Sequence, residues 1–125
     1  MDQNLIVWIE IPVINMERAI TFYEKVFNIK ISLHRLEGFV MGWFPNFPDK
    51  NGTTGALVKH ESYIPSKKAG PLLYFSCQDL SQELDRIKEA GGNILQDKTA
   101  IGEGHGYMAL FIDCEGNRLA LHSSA

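Results

Sequence analysis

The chain has 125 residues, 45% of them hydrophobic and 22% charged, with a formal net charge of −3. That is one domain's worth of chain, without the basic excess of a nucleic-acid binder and without an apolar run near the roughly 20 residues a membrane span needs. The start, Met1-Asp2-Gln3-Asn4, has neither the basic head nor the apolar middle of a secretory signal, and the two cysteines, Cys77 and Cys114, lack CxxC spacing. They read as free thiols of a cytoplasmic protein, Cys77 buried at a strand end and Cys114 exposed in a turn.

In chain order, Leu5 to Val13 reads as a first strand. Alternation puts Val7, Ile9, Ile11 and Val13 on an aliphatic face and Trp8, Glu10 and Pro12 on the other. Asn15 is placed to cap a helix, Glu17 favours its positive end, and Met16, Ile20, Tyr23 and Phe27 form an apolar stripe. Asn28 suits the left-handed residue that ends a helix. Strands follow at Ile29–Leu33, Glu37–Phe44 and Thr53–His60, with a proline-containing loop Pro45–Gly52 before the last. The stretch Glu61–Gly70 reads as a linker.

A second unit then repeats the first. Leu80, Leu84 and Ile87 match Met16, Ile20 and Tyr23 at one constant offset (80−16, 84−20 and 87−23 are all 64), and Asn28 with Gly92 and Gly52 with Gly116 keep it. Its strands are Pro71–Cys77, a short Asn93–Gln96, Tyr107–Ile112 and Arg118–His122, with a tight turn at Asp113–Asn117 and a glycine-dense loop Gly102–Gly106 around His105. The division is a single domain over 1–125, with module one at 1–62, a linker at 63–70 and module two at 71–125. The charged residues of the helices, including Arg18, Glu83 and Arg86, read as solvated faces.

The junction Val13-Ile14-Asn15-Met16 with Phe22-Tyr23-Glu24-Lys25-Val26-Phe27, its repeat Cys77-Gln78-Asp79-Leu80 with Glu89-Ala90-Gly91-Gly92, and the closing Asp113-Cys114-Glu115-Gly116-Asn117 together resemble the vicinal oxygen chelate superfamily. That superfamily includes glyoxalase I, bleomycin-resistance proteins and extradiol dioxygenases. The resemblance spans nearly the whole chain. It implies an α+β fold of two tandem βαβββ modules forming a cupped mixed sheet, and a homodimer. Because such families host lyases, oxygenases, epimerases and pure binding proteins, function has to come from the site. Metal-bearing members place one ligand on the first and one on the last strand of each module. The resemblance maps those places to Trp8, Ala56, Leu72 and Ala120, whose indole and alkyl groups cannot hold a divalent cation. No cofactor is therefore expected there, and no metal-ligating residue is assigned.

The inward faces would hold Trp8, Glu10, Thr54, Val58, His60, Leu72, Tyr74, Ser76, Arg118 and His122, a mix of aromatic wall and polar groups suited to a small molecule. Trp8 and Tyr74 either sandwich a planar ligand or fill the cup themselves. Glu10, set among Ile and Val, should be partnered or carry a raised pKa. Its functional reading is a general base or an anchor for a cationic ligand, and its structural one an ion pair with Arg118. A residual metal possibility is Glu10 with His60 and His122, if the three converge. His105 could move over the cup or simply be solvated. The leading expectation is a metal-free binder of a small hydrophobic or aromatic molecule. The alternative is a lyase or dioxygenase using Glu10 or an atypical metal set, and a third is an interaction domain with a closed cup.

Overall fold

A computed structural model describes residues 2–125. Its elements are β1 (Trp8–Pro12), α1 (Met16–Phe27), β2 (Ser32–Leu36), β3 (Phe39–Trp43) and β4 (Thr54–Lys59), then β5 (Tyr74–Cys77), α2 (Leu80–Ala90), β6 (Asn93–Ala100), β7 (Tyr107–Ile112) and β8 (Arg118–Ser123). They form two four-stranded mixed sheets ordered β1-β4-β3-β2 and β5-β8-β7-β6. In each, the first strand runs parallel to the last and the other pairs are antiparallel. Glu10 lies opposite Ala56 and Tyr74 opposite Ala120, so the parallel strand pairs of the two sheets repeat at the same offset (74−10 and 120−56 are both 64). Each sheet carries one helix, and the two helices touch. This is the α+β architecture of doubled βαβββ units.

The caps form as side-chain chemistry dictates. Asn15 Oδ1 accepts the Arg18 amide at 3.0 Å, and Asn28 closes α1 in the left-handed region at φ 54°. Asp79 caps α2 through the Ser81 amide at 3.0 Å. Its left-handed stop is Gly91, at φ 98°, one residue before the expected Gly92. Asn tolerates that backbone and Gly meets no Cβ penalty there.

Every strand but the seventh shifts a limit, the second to end at Leu36 and the fifth to begin at Tyr74 rather than Pro71. The first strand pairs only from Trp8, leaving Leu5, Ile6 and Val7 exposed. The second starts at Ser32 rather than Ile29, because the residues after Asn28 first close the helix: Ile29 N–H donates to Glu24 O and Ile31 N–H to Glu24 Oε2 at 2.8 Å. The sixth runs to Ala100, four residues past Gln96, with register shifts near Gln96 and Thr99.

One buried core joins both units. Ile11, Val13, Phe22, Tyr23 and Val26 meet Leu80, Ile87, Phe111 and Leu121 in it. Phe75 of β5 lies against Phe27 and Tyr23 of α1, at ring-centroid distances of 4.6 and 5.9 Å. Close approach requires glycine at position 55, where a Cβ would stand 1.9 Å from the Ile9 carbonyl oxygen. No helix among the described residues is long and apolar enough to cross a membrane.

Candidate functional site

On the face of the first sheet turned away from α1, alternation brings Trp8 and Glu10 of β1 beside Ala56 and Val58 of β4 and Met41 and Trp43 of β3. Ala56 and Val58 are fully buried, with Met41, Trp43 and Tyr63 packed around them. Trp8 is 40% exposed and stands edge-on to Trp43 at 6.1 Å, while His34 stacks on the other ring at 3.8 Å. Offset and edge-to-face ring pairs are the favoured geometries, each worth about 0.5–1.5 kcal/mol beyond burial.

Glu10 stands in the middle of this face. Its Oε2 accepts the Trp8 indole N–H at 3.2 Å, and its Oε1 accepts the Tyr63 hydroxyl at 2.8 Å. That hydrogen bond, with some burial, raises the Tyr63 pKa above its ordinary 10.0. The expected ion pair with Arg118 does not form. Arg118 instead reaches the Gly70 carbonyl with one guanidinium nitrogen, and its buried Nε has no partner among the described residues. The physical reason is topology: Glu10 and Arg118 belong to different sheets, and Tyr63, arriving from the segment between the units, is the nearer donor.

The other candidates divide between the sheets. Thr54 Oγ1 bonds the Pro45 carbonyl, and His60 stacks on Phe39 at 4.3 Å while its Nδ1 accepts the Ser62 amide. In the second sheet Tyr74, 53% exposed, lies opposite Ala120, and Ser76 opposite His122. His122 Nε2 donates to the His105 carbonyl at 2.8 Å, which ties the glycine-dense loop to β8. Leu72 is half-buried just before β5. No hydrogen bond, ion pair or ring contact joins the Trp8–Glu10 group to Leu72, Tyr74, Arg118 or His122 among the described residues. Nor do Glu10, His60 and His122 converge: among the described residues no group of three or more His, Cys, Asp or Glu could hold a metal. The positions Trp8, Ala56, Leu72 and Ala120 supply no ligand atom, so the residues present do not fit a divalent cation.

Sequence reasoning passed over Trp43, His34 and Tyr63 on this face. Trp43 was recoverable from the alternation of the third strand, but Tyr63 lay in a segment read as linker.

It also passed over a second cluster. Glu115, in the turn between β7 and β8, is fully buried at its side chain. Its Oε1 accepts the amides of Ile14 and Asn15 at 2.8 and 2.7 Å, and its Oε2 pairs with Arg18 Nε at 2.6 Å. Burial pushes its pKa up, but the Arg18 hydrogen bond and the surrounding donors outweigh it and hold the carboxyl below 4.5. Beside it, Asp113 takes the Tyr23 hydroxyl at 2.6 Å, and Asn117 donates to the Pro12 carbonyl at 2.7 Å. Arg18 stays half-exposed but is tied to Glu115 rather than free, and Cys114 is half-buried rather than exposed, its thiol pushed up first by burial and then by Glu115. Arg86 departs from the same expectation: it bonds the Val26 carbonyl at 2.7 Å and Glu83 at 3.1 Å.

Between the units, on the helix side of the sheets, lies a cleft of about 650 Å³. Ile9, Ile11, Phe27, Phe44 and Phe75 give it apolar walls, and Gln78, Gln82, Glu83 and Arg86 a polar end. Tyr74 and Ser76 border it. Cys77 lines it too, half-buried, its pKa raised to about 12 by burial and by the Glu83 charge.

Comparison with known proteins places this architecture. A fungal "Glyoxylase-like domain-containing protein" from Didymella fabae is 31% identical over 123 residues, covering 90% of this chain and 88% of its own. Glyoxalase I from Zea mays superposes with a TM-score of 0.73 at 19% identity, covering 94% of this chain, which spans only 45% of the maize protein. TnmS3, an antibiotic-binding protein from Streptomyces, matches over 100% of this chain and 99% of its own, with a TM-score of 0.67 at 19% identity. The fosfomycin resistance protein FosX from Listeria monocytogenes gives 0.68 at 17% identity, over 98% and 92% of the two chains. At these identities the structures share the fold with this chain. The sequence profile of the family itself matches residues 5–121, and the chain belongs to the Glyoxalase/Bleomycin resistance protein/Dioxygenase superfamily.

Proposed function

We propose that this protein binds a small planar aromatic or hydrophobic molecule on the Trp8–Trp43 face, without a metal, and acts as a sequestering or ligand-binding member of its family. The observation that carries the reading is the half-exposed Trp8, set edge-on to Trp43 and hydrogen-bonded to Glu10. A ring laid against the exposed Trp8 would meet one carboxylate at its edge, over a face held firm by the buried Ala56, Val58 and Met41 cluster beneath. An antibiotic-binding protein and a resistance protein among the structural neighbours support it. Val58 supports this face from beneath, whereas Leu72, Tyr74, Arg118 and His122 would join it from the module-two sheet of a second copy in a homodimer. The exposed run Leu5, Ile6 and Val7, leading into the edge strand β1, favours such a partner. The free thiols suit a cytoplasmic setting.

The chain's two tryptophans both lie on this face, so intrinsic fluorescence reports on it. Titration with a neutral planar probe such as 1-naphthol should quench it saturably. Trp8→Ala should weaken binding on the order of tenfold, the equivalent of about 1.4 kcal/mol from a lost ring contact. Unsaturable quenching, or a Trp8→Ala variant binding as well as the parent, would overturn the assignment. The enzymatic reading rests on Glu10 as a base for a bound ligand. A stoichiometric transition metal in purified protein, lost in Glu10→Gln, would make that reading the leading one.

A further inference from the structure

The cleft between the units is the open counterpart of a socket that the chain fills elsewhere. In the filled socket the turn Asp113-Cys114-Glu115-Gly116-Asn117 inserts at the start of α1, and Glu115 takes the amides of Ile14 and Asn15 and the side chain of Arg18. Applying the repeat offset of 64, the matching amides are those of Gln78 and Asp79, and the matching helix residue is Gln82 (14+64, 15+64, 18+64). Gln78 and Gln82 both line the cleft. No protein acceptor meets the Gln78 or Asp79 amide among the described residues.

The turn that would fill this second socket is Asp49-Lys50-Asn51-Gly52-Thr53 (113−64 to 117−64). Its Asp and Gly match those of the other turn, and Gly52 and Gly116 share a positive φ of 97° and 95°. At the inserting position, however, Asn51 replaces Glu115, and it is exposed. Phe47 of the same loop stands 67% exposed at the cleft wall. The strand registers give the reason: Trp43 pairs with Ala56 but Leu110 with Ala120 (110−43 is 67, 120−56 is 64), so the module-one loop is three residues longer than the turn it matches and the cleft is a socket without its plug.

We infer that this cleft is a second ligand site, separate from the Trp8–Trp43 face, and that it takes an apolar molecule ending in an uncharged hydrogen-bond acceptor, an amide or ketone oxygen. The oxygen takes the place of the Glu115 carboxylate against the Gln78 and Asp79 amides and the Gln82 side chain. The apolar part lies among Phe27, Phe44 and Phe75. The uncharged head follows from the residues that differ between the sockets. Arg18, which matches the Glu115 charge, is replaced by Gln82. The remaining cation here, Arg86, is already held by Glu83, and the Asp79 carboxylate by Lys98 at 3.1 Å. A carboxylate would enter with no free partner charge and two acids nearby, whereas a neutral oxygen needs only N–H donors.

The test uses the matched probes octanamide and octanoate, followed by backbone amide NMR on the ¹⁵N-labelled full chain. Octanamide should shift the Gln78 and Asp79 amide signals saturably and leave the Trp8 and Trp43 indole signals unmoved, with octanoate binding at least tenfold more weakly. Gln82→Arg restores the cation of the filled socket and should reverse that preference. Three results would overturn the inference: no saturable shift at Gln78 or Asp79 with either probe at millimolar concentration, shifts confined to the indole signals, or octanoate bound as tightly as octanamide by the parent chain. Because the indole signals report the other face, failure here and failure of the Trp8 site are read separately.

Discussion

Glu115→Ala tests how the two modules are held together. The substitution removes the acceptor of two amide bonds, 2.8 and 2.7 Å long, and leaves the N–H groups of Ile14 and Asn15 facing a partly buried void. Hydrogen bonds to an ionised group contribute about 1.5–3 kcal/mol each, and two amide bonds are lost, whereas the half-exposed Arg18 left behind is solvated and adds little. The expected loss is therefore ~3–5 kcal/mol, which for a domain of this size is a fall in Tm on the order of 10–20 °C. Glu115→Gln keeps an oxygen for the amides and should lose about half as much. Urea unfolding at neutral pH reads both, with an unchanged m-value showing that the transition is still of the same kind. The pH dependence gives a second reading. The folded state holds the Glu115 carboxyl below 4.5, so its stabilisation is present above the unfolded-state value and fades as pH falls through the lower folded-state one. The parent chain should lose stability over that acid range and Glu115→Gln should lose less. A Glu115→Ala chain within about 1 kcal/mol of the parent would refute the reasoning, since the amides would then have found water at little cost.

Two further outcomes follow from buried hydroxyl and thiol groups. Burial, then the Asp113 charge, raises the Tyr23 pKa well above 10.0, so Tyr23 adds stability that is present below the unfolded-state value and lost as pH rises past it. Tyr23→Phe should cost about 1–3 kcal/mol at pH 7, because Asp113 loses a buried donor, and should show a shallower alkaline decline in thermal scans. Cys77, with its pKa raised to about 12, carries on the order of one thiolate in 10⁴ at pH 8. It should react with a disulfide reagent far more slowly in the native chain than in urea, and native labelling as fast as that of the unfolded chain would contradict its environment.

The fold was legible because its signals are local. Helix stripes, the Asn15 cap, the left-handed Asn28 and the offset of 64 all lie within single elements or between two copies of one, and the structure carries them into matched registers. The site was legible only in part. Trp8 and Glu10 share a face because strand alternation demands it. Their actual partners, Trp43 and Tyr63, come from 35 and 53 residues away (43−8, 63−10), where no short-range pattern reaches. Arg18 and Glu115 illustrate the same limit: each occupies a position that suits a solvated charge, and only the docking of one module's turn on the other's helix buries Glu115 against the half-exposed Arg18. The single cup imagined from the two faces depended on how the sheets are set against each other, which is decided by helix packing and the shared aromatic core rather than by either strand pattern.

Comparing the copies position by position separates what builds the fold from what builds the sites. Ala56 and Ala120, Leu57 and Leu121, and Gly52 and Gly116 agree across the offset, and these residues are buried in β4 and β8 or turn the chain into them. Met16 and Leu80 differ in kind but not in role, both buried in the first turn of a helix. The disagreements fall elsewhere. Glu10 faces Tyr74 across the repeat, Val58 faces His122, Glu115 faces Asn51 and Arg18 faces Gln82. Each such pair places a charge or a ring on one module and withholds it from the other, at a sheet face turned from the helices or at a socket between modules. A duplicated core tolerates these changes because none of them alters the volume packed between sheet and helix. The aromatic face belongs to module one alone and the open socket to module two alone for the same reason: the constraint that keeps the copies alike acts through the core, and at the faces and sockets each copy is free to carry different chemistry.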